Sequence, residues 1–261
     1  MNQKIRTQIV FTSIFVFAFF DLFAQNSDLP GKVRSNDLSA VKELINGGAD
    51  VNMEDDMMGY TPLYLAISDG NKEMVELLIA KGADINKPDK RTGYTPLMLA
   101  LNSNNAELAK FLIDKGADFK IRSNDGTTAL ILACGVSPEL AKTLLSKGAD
   151  IHALTEKGQG VFTQCIVAGM MRGNEEITPE FAEFLLSKGA NIDEKNTVGG
   201  YKGYTPLFWA ILYGETDVVK FLAEKGADVN AKADNGKTPL SIASEAGDEK
   251  IVEILKNHGA K

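Results

Sequence analysis

Side chains able to carry out nucleophilic, acid–base or metal chemistry are scarce and scattered in this sequence. Its 261 residues include two histidines, His152 and His258, and two cysteines, Cys134 and Cys165. Covalent catalysis needs a nucleophile beside a base, and a zinc site needs several Cys, His or carboxylate ligands at short spacing. The sequence contains no HExxH, CxxC, Ser-His-Asp or phosphate-binding glycine motif. It therefore predicts a protein that is not an enzyme and has neither a metal site nor a cofactor.

Aspartates recur at a regular interval, which favours a structural role for them. Five aspartates each follow a Gly-Ala pair: Asp50, Asp84, Asp118, Asp150 and Asp228. Asp is a common turn residue because its side chain hydrogen-bonds the local backbone. We interpret these residues as turn formers rather than as paired catalytic acids. His152 replaces an asparagine in the same kind of turn, so we expect it to be structural as well.

Two short motifs recur along the chain and define the elements that hold these side chains. One reads GYTPLYLA in its first copy, and the other reads GAD or GAN. Successive copies of the first are 34, 33, 34, 43 and 33 residues apart, an interval typical of repeat proteins. The first motif opens at Gly59, Gly93, Gly126, Gly160, Gly203 and Gly236, and the second at Gly48, Gly82, Gly116, Gly148, Gly189 and Gly226.

Each repeat has the residues of two short helices. Thr61 can cap the first helix, and Pro62 suits its first turn, where the missing N–H is not needed. Gly70 can end that helix with a positive φ. Met74 and Leu78 belong to an apolar stripe at helical spacing, which predicts a second helix. Two such helices cannot bury their apolar faces alone, so neighbouring repeats must stack.

The interval near 33 residues and the TPL motif resemble the ankyrin repeat. The resemblance covers about Leu29 to Lys261. It implies an all-α solenoid of helix–turn–helix units, joined by extended linkers with a β-turn that are called fingers below. About six repeats follow a partial N-terminal unit with a short first helix. The predicted domain is 25–261, with units at about 29–56, 57–90, 91–123, 124–156, 157–200, 201–233 and 234–261.

The histidine of the family motif TPLHxA is absent from every copy. In the family this histidine ties neighbouring fingers together by hydrogen bonds, so its absence predicts looser coupling between repeats. The residues in its place are Tyr64, Met98, Ile131, Cys165, Phe208 and Ser241.

The first residues have the pattern of a secretory signal peptide. Lys4 and Arg6 precede Ile9 to Phe20, an almost wholly apolar run of 12 residues. A membrane-spanning helix needs about 20 apolar residues. We therefore predict a signal peptide at 1–24, cleaved at Ala24|Gln25, and a secreted or periplasmic mature protein. An uncleaved anchor and a buried helix are the alternatives.

Export permits disulfides, yet two cysteines in a chain of this length do not form a disulfide framework. We expect Cys134 and Cys165 to be free, buried thiols that pack as small apolar side chains.

The fourth repeat departs most from the pattern. It reads GVFTQCIV and lacks TPL. Met171–Ile177 lengthens the turn between its helices, and Glu194–Lys202 lengthens its finger. These insertions are either surface drift or contributions to binding. We predict that this repeat is the least stable unit and opens locally.

The resemblance implies that partners bind through the fingertips and the concave face of the first helices. The residue after each opening glycine normally points to that face: Tyr60, Tyr94, Thr127, Val161, Tyr204 and Lys237. Tyrosine is enriched at binding hot spots. Alternatively, the tyrosines reflect duplication, with each ring lying on a neighbouring finger. Trp209 is expected in the core. The candidate partner-binding residues are Tyr60, Tyr94, Tyr201, Tyr204, Leu212 and Tyr213.

The formal net charge of −7 shows no basic footprint for nucleic acid or anionic lipid. We expect a monomer that binds a protein partner, with no nucleic acid and no membrane insertion after signal cleavage. The leading hypothesis is an exported, non-catalytic interaction scaffold. The alternatives are a secreted effector or toxin-neutralising binder, and a purely structural, self-associating array.

Overall fold

The computed structural model of the chain describes residues 28–172 and 179–261. The predicted signal peptide with its cleavage site, and residues 173–177 of the predicted insertion, lie outside these ranges. Every regular secondary-structure element within these ranges is a helix. Within them, β-type pairing of the backbone occurs only at two isolated bridges, Arg122 with Thr128 and Leu154 with Gly160. The prediction of an all-α fold of helix–turn–helix units is confirmed.

The described ranges contain fourteen α-helices and one short 3₁₀ turn. The short first helix of the N-terminal unit, six residues long, is present as predicted. The helices are α1 (Leu29–Arg34), α2 (Leu38–Asn46), α3 (Pro62–Ser68), α4 (Lys72–Ala80), α5 (Pro96–Asn102), α6 (Ala106–Asp114), α7 (Ala129–Cys134), α8 (Pro138–Ser146), α9 (Val161–Arg172), α10 (Pro179–Ser187), α11 (Pro206–Leu212), α12 (Thr216–Glu224), α13 (Pro239–Ala246) and α14 (Glu249–Asn257), with the 3₁₀ turn at Gly199–Tyr201.

Helix pairing follows the repeats within each of two compact units. In the first unit, which ends at Lys90, α1 packs on α2 and α3, and α3 packs on α4. In the second unit, Arg91–Lys261, the first helices α5, α7, α9, α11 and α13 pack on one another in order. Each of them also packs on the second helix of its own repeat. The apolar faces of these short helices are therefore buried by their neighbours, as stacked repeats require.

Threonine caps start most of the first helices. The hydroxyl oxygens of Thr61, Thr95, Thr128 and Thr238 each accept a hydrogen bond from the amide three residues later, at 3.2 or 3.3 Å. Proline follows in three of these four helices and satisfies the fixed φ of the first turn. The Thr-Pro-Leu motif therefore specifies where the first helix begins.

The fourth repeat begins two residues earlier than the sequence motif indicates. Gly158, with φ 72°, has the left-handed conformation of Gly126, with φ 76°, whereas Gly160 does not. Gly160 instead forms an isolated bridge of the kind made by Thr128, so it occupies the helix-capping position. The opening glycine of this repeat is therefore Gly158, and the assignment of Gly160 is wrong.

The corrected register moves two further residues. Thr163, rather than Cys165, stands three residues into α9, where the family motif has histidine. Cys165 instead aligns with the alanines at the fifth helical position of other repeats, such as Ala100 and Ala133. The irregular reading GVFTQCIV results partly from this two-residue offset.

Cys134 and Cys165 are joined in a disulfide, which corrects the prediction of two free thiols. Their Cα atoms lie 4.8 Å apart, within the range that a disulfide requires. The prediction considered only the number of cysteines. Their separation of 31 residues is close to one repeat, and stacking therefore brings them together on the neighbouring helices α7 and α9.

Helix α9 is longer than the other first helices. It extends over 12 residues, to Arg172, whereas α5 and α11 have seven residues each. Met171 therefore belongs to the helix and not to a lengthened turn, which corrects the predicted start of the insertion. Within the described residues, no helix is long and apolar enough to span a membrane.

Candidate functional site

Large apolar side chains that remain exposed mark the candidate binding surfaces. In the described part of the chain they all lie in fingers or at the end of α11, and not on the helix faces that stack. Exposed apolar side chains are often found where a protein contacts a partner. They are Met57, Met58, Leu154, Val198, Tyr201, Leu212 and Tyr213.

Four aromatic rings and one leucine form a continuous patch in the fifth repeat. Tyr201 comes from the long finger, and Tyr204 lies just before the cap of α11. Trp209 is in the middle of α11, and Leu212 and Tyr213 are at its end. The ring centroid of Trp209 lies 4.9 Å from that of Tyr201 and 6.4 Å from that of Tyr213. We call Tyr201, Tyr204, Trp209, Leu212 and Tyr213 the aromatic patch.

Two members of the patch have a different role from the one predicted. Tyr204 is only 4% exposed, and its ring stacks on Phe208 at 4.7 Å and meets Tyr201 edge-on at 5.3 Å. It supports the patch from beneath instead of pointing outward. Trp209, expected in the core, is half-buried and connects Tyr201 to Tyr213. The accessible members are therefore Tyr201, Leu212 and Tyr213, at 50%, 44% and 43% exposure.

The rule that the residue after the opening glycine points outward fails for three repeats. Thr127, Val161 and Tyr204 are buried. Tertiary packing covers these positions, as the Phe208 and Tyr201 rings cover Tyr204, and a sequence motif does not reveal this. For Val161 the corrected register also moves the residue into the first turn of α9.

Two lysines in this part of the chain are paired with carboxylates. Lys202 forms an ion pair with Asp234 at 2.8 Å, and Lys237 forms one with Glu245 at 2.5 Å. Hydrogen bonding to Asp234 raises the pKa of Lys202, and hydrogen bonding to Glu245 raises the pKa of Lys237. Both lysines therefore stay protonated beside their carboxylates.

Tyr60 and Tyr94 do not belong to the patch. Tyr60 is half-buried and stacks on Tyr64 within the first compact unit, with ring centroids 4.3 Å apart. Tyr94 is half-buried at the start of α5. Tyr60 therefore packs on the first helix of its own repeat, and its part in partner binding stays a prediction.

The first finger carries an apolar tip that the sequence analysis missed. Met57 and Met58 are 79% and 58% exposed. The carboxylate of Asp55 holds this turn by accepting hydrogen bonds from the amides of Met58 and Gly59 at 2.7 and 2.8 Å. The two adjacent methionines in a predicted polar turn were the sequence feature that could have indicated this apolar tip.

The surroundings of Asp55 favour the ionised form of its carboxyl. Burial disfavours ionisation of its carboxyl, but hydrogen bonds from the Met58 and Tyr60 amides and the charge of Arg34 outweigh it and lower the pKa. Arg34 forms an ion pair with Asp55, so α1 is connected to the first finger within the first compact unit.

A buried carboxylate replaces the missing threonine cap of the fourth repeat. Glu194, in the following finger, is 8% exposed and accepts a hydrogen bond from the amide of Thr163. That amide is the third of α9, the donor that threonine caps in other repeats. The absence of a side chain at Gly160 leaves room for this carboxyl, because a Cβ there would overlap it.

The buried environment of Glu194 disfavours the ionised form of its carboxyl. Burial raises the pKa of this carboxyl above its ordinary value, although hydrogen bonds from Thr163 and Gly160 and the charge of His152 act in the opposite direction. Glu194 was predicted at the start of a surface insertion, and its capping role was not predicted. The only available signal was the glycine at a capping position.

Side chains that could bind a metal ion are not clustered in the described residues. No cluster of three or more His, Cys, Asp or Glu side chains there has the geometry to hold a metal ion. His258 directs Nδ1 to the backbone oxygen of Ile254 at 2.8 Å, a local helix-end contact.

Comparison with known proteins gives consistent relatives. The family model for ankyrin repeats, in three copies, matches residues 32–123, 82–155 and 170–261. The crystal structure of the ankyrin repeat domain of Bcl-3, a member of the IkappaB protein family, superposes with a TM-score of 0.66 at 29% identity. This match covers 88% of this chain and 98% of that one.

Curated relatives match over shorter stretches. Serine/threonine-protein kinase VIK of Arabidopsis thaliana is 51% identical over 59 residues, which are 23% of this chain and 14% of the kinase. Myotrophin of Xenopus tropicalis is 41% identical over 52 residues, 20% of this chain and 44% of myotrophin. The matched regions thus span less than half of either relative, and the similarity to the kinase is confined to repeats.

Proposed function

The chain belongs to the ankyrin-repeat family, and we propose that it is a non-catalytic scaffold that binds a protein partner through the aromatic patch and the adjoining finger. Ankyrin repeats are generally protein–protein interaction modules. The exposed rings of Tyr201 and Tyr213 beside Leu212 are the observation that carries the assignment to this surface.

The physical case for the patch rests on its composition and rigidity. Tyrosine and tryptophan supply large contact areas with few rotatable bonds, and such residues dominate binding energies at interfaces. Contact with Tyr201 and Tyr213 on either side restrains Trp209, and Tyr204 supports Tyr201 from below. Little side-chain freedom is left to lose on binding, so burial of the patch favours association.

We also propose that the protein is exported. The basic start and apolar run at Ile9–Phe20 support a cleaved signal peptide. A disulfide between Cys134 and Cys165 supports an oxidising compartment, where such bonds persist. N-terminal sequencing of the protein from its native host tests this: a mature start at Gln25 is expected, and an intact Met1 in the mature protein contradicts export by cleavage.

Affinity capture from the native envelope and secreted fractions, followed by mass spectrometry, identifies the partner. The captured protein is then titrated with the Leu212→Ala/Tyr213→Ala variant. We expect at least about 30-fold weaker binding, the loss of about 2 kcal/mol typical of hot spots. Lys220→Ala, an exposed change on α12, is the matched control and should bind as the wild type does.

Two outcomes distinguish the alternatives. Capture only from foreign host lysate supports a secreted effector or toxin-neutralising binder. Concentration-dependent oligomers in light scattering, without any partner, support a self-associating array. Unchanged affinity of the Leu212→Ala/Tyr213→Ala variant refutes the aromatic patch as the binding surface.

A further inference from the structure

Helix α9 is held by two contacts that lie outside the repeat pattern. The disulfide of Cys165 joins it to α7 in the preceding repeat. The carboxylate of Glu194, from the following finger, caps its first turn. The Thr-Pro start that specifies α5 or α13 is absent from α9. This helix therefore depends on the preceding repeat and on the finger that follows its own helix pair.

We propose that the Cys134–Cys165 disulfide is a redox-controlled clamp on the fourth repeat. While the bond is intact, it fixes α9 on α7; when a dithiol reduces it, α9 is released for local opening. The inference concerns the order of one repeat and does not depend on the proposed partner binding.

The position of the bond explains why it acts on one boundary. In a linear array each repeat contacts only its neighbours, so stability is set boundary by boundary. The disulfide crosses the boundary between the third and fourth repeats and closes a segment of 31 residues. A covalent link across this boundary removes the states in which α9 separates from α7 while the rest of the unit stays folded.

The chemistry of release is thiol–disulfide exchange. One thiolate of the dithiol attacks a cysteine sulfur, forming a mixed disulfide and freeing the other cysteine as a thiol. The second thiolate of the dithiol then displaces the remaining cysteine. The dithiol is oxidised to a cyclic disulfide, and Cys134 and Cys165 are reduced to two thiols, so atoms and electrons balance.

Burial determines when this exchange happens. Cys134 is 0% exposed and Cys165 is 1% exposed, so a dithiol reaches neither sulfur in the closed repeat. Reduction therefore requires a local fluctuation that exposes one of the two sulfurs while the bond still joins α7 and α9, and its rate reports how often that exposure occurs. A clamp of this kind resists brief reducing exposure and yields when the repeat is already loosened.

Hydrogen exchange of the full chain tests the clamp. The oxidised protein is compared with the same protein kept in dithiothreitol after complete reduction. We expect amides of α9 to exchange at least about tenfold faster in the reduced protein, while amides of α13 and α14 change less than twofold. Equal exchange of α9 in both forms overturns the proposal, as does an equal change throughout the second compact unit.

The chain offers a matched variant for the same measurement. Cys165→Ala introduces the alanine found at this helical position in other repeats, including Ala100 and Ala133, so it removes the bond without a foreign side chain. We expect its α9 to exchange as in the reduced wild type, with or without dithiothreitol. Exchange at the oxidised wild-type rate overturns the clamp.

Reduction kinetics give a second readout. Mass spectrometry after alkylation counts free thiols during treatment with dithiothreitol. We expect reduction at least tenfold slower than after unfolding in urea, and at least threefold faster in Glu194→Ala than in the wild type, because that change loosens the start of α9. Two alkylated thiols without any reductant, or a wild-type rate equal to the unfolded rate, overturns the proposal.

Discussion

Removing the carboxylate that caps α9 should destabilise the fourth repeat by an amount that its contacts define. Glu194→Ala takes away the acceptor for the Thr163 amide. Loss of an N-cap typically costs about 1 kcal/mol, and a buried amide left without a partner costs about 1–3 kcal/mol. The same change relieves the burial of a charge, which offsets part of this loss. We expect the free energy of unfolding to fall by about 1–2 kcal/mol at pH 7.

A second substitution tests whether the carboxylate stands in for threonine. Gly160→Thr alone should destabilise the protein, because its Cβ would overlap the Glu194 carboxyl. In the Gly160→Thr/Glu194→Ala variant, the new hydroxyl can accept from Thr163 as Thr95 accepts from Met98. We expect the double variant to lie within about 0.5 kcal/mol of the wild type, so that the two changes couple by more than about 1 kcal/mol.

The raised pKa of Glu194 sets the direction of a pH dependence. Burial raises the pKa of this carboxyl above its ordinary 4.5 in the folded protein, so the folded state binds the proton more tightly than the unfolded state. Stability should therefore fall as pH rises from the ordinary pKa to the raised one, and this contribution is constant above that window. Glu194→Gln retains an acceptor oxygen without a charge, and it should lose this component of the pH dependence.

The assay is urea denaturation of the oxidised proteins followed by circular dichroism, with hydrogen exchange at α9 to locate the effect. Exchange should quicken in α9 for Glu194→Ala and return towards the wild-type rate in the double variant. The capping argument is refuted if the effects of Gly160→Thr and Glu194→Ala simply add, or if Glu194→Gln is as unstable as Glu194→Ala.

Three further predictions concern the threonine caps, the aromatic patch and the disulfide. Thr205 Oγ is buried without a hydrogen-bond partner, so Thr205→Val should change the free energy of unfolding by under about 0.5 kcal/mol. Thr95 Oγ accepts a hydrogen bond from the Met98 amide, so Thr95→Val should lower the free energy of unfolding by about 1 kcal/mol in the same denaturation assay. Tyr204→Ala should cost about 3 kcal/mol because the ring is buried, whereas Tyr213→Ala should cost under about 0.5 kcal/mol; equal costs would contradict the assigned burial. Reducing the disulfide should lower the free energy of unfolding by about 3–4 kcal/mol, from the chain entropy of a 31-residue loop, and an unchanged urea midpoint would refute this.

The sequence predicted the regular part of the fold because local chemistry specifies it. Thr95 and Pro96 set the start of α5, and Asn104, with φ 56°, takes the left-handed turn that ends it. These constraints act within a few residues of the chain, so they can be recognised without knowledge of tertiary contacts. The repeat interval then requires stacking, since no pair of short helices can bury its own apolar face.

The register of the fourth repeat could not be predicted from short-range sequence signals. Gly158 and Gly160 both fit the opening position of the motif, and only the left-handed backbone of Gly158 identifies it. The identity of the cap was hidden for the same reason, because Glu194 reaches α9 from the next finger. A glycine at a capping position shows that a cap is missing, but not which side chain replaces it.

Surface and core were distinguished only in part by the sequence. It named Tyr201, Tyr204, Leu212 and Tyr213 as candidate binding residues, but it did not distinguish the buried residue from the exposed ones. Burial of Tyr204 depends on the Phe208 and Tyr201 rings that enclose it, which is a property of the packed finger.

The sequence by itself determined the repeat, the ankyrin-repeat family and the helix starts that Thr-Pro marks, because short-range capping and apolar periodicity act along the chain. Tertiary structure alone decided the pairing of Cys134 with Cys165, the capping of α9 by Glu194 and the exposed members of the aromatic patch. Each of these joins residues that are about one repeat apart or lie on different elements, and only the stacking of neighbouring helices brings their atoms into contact.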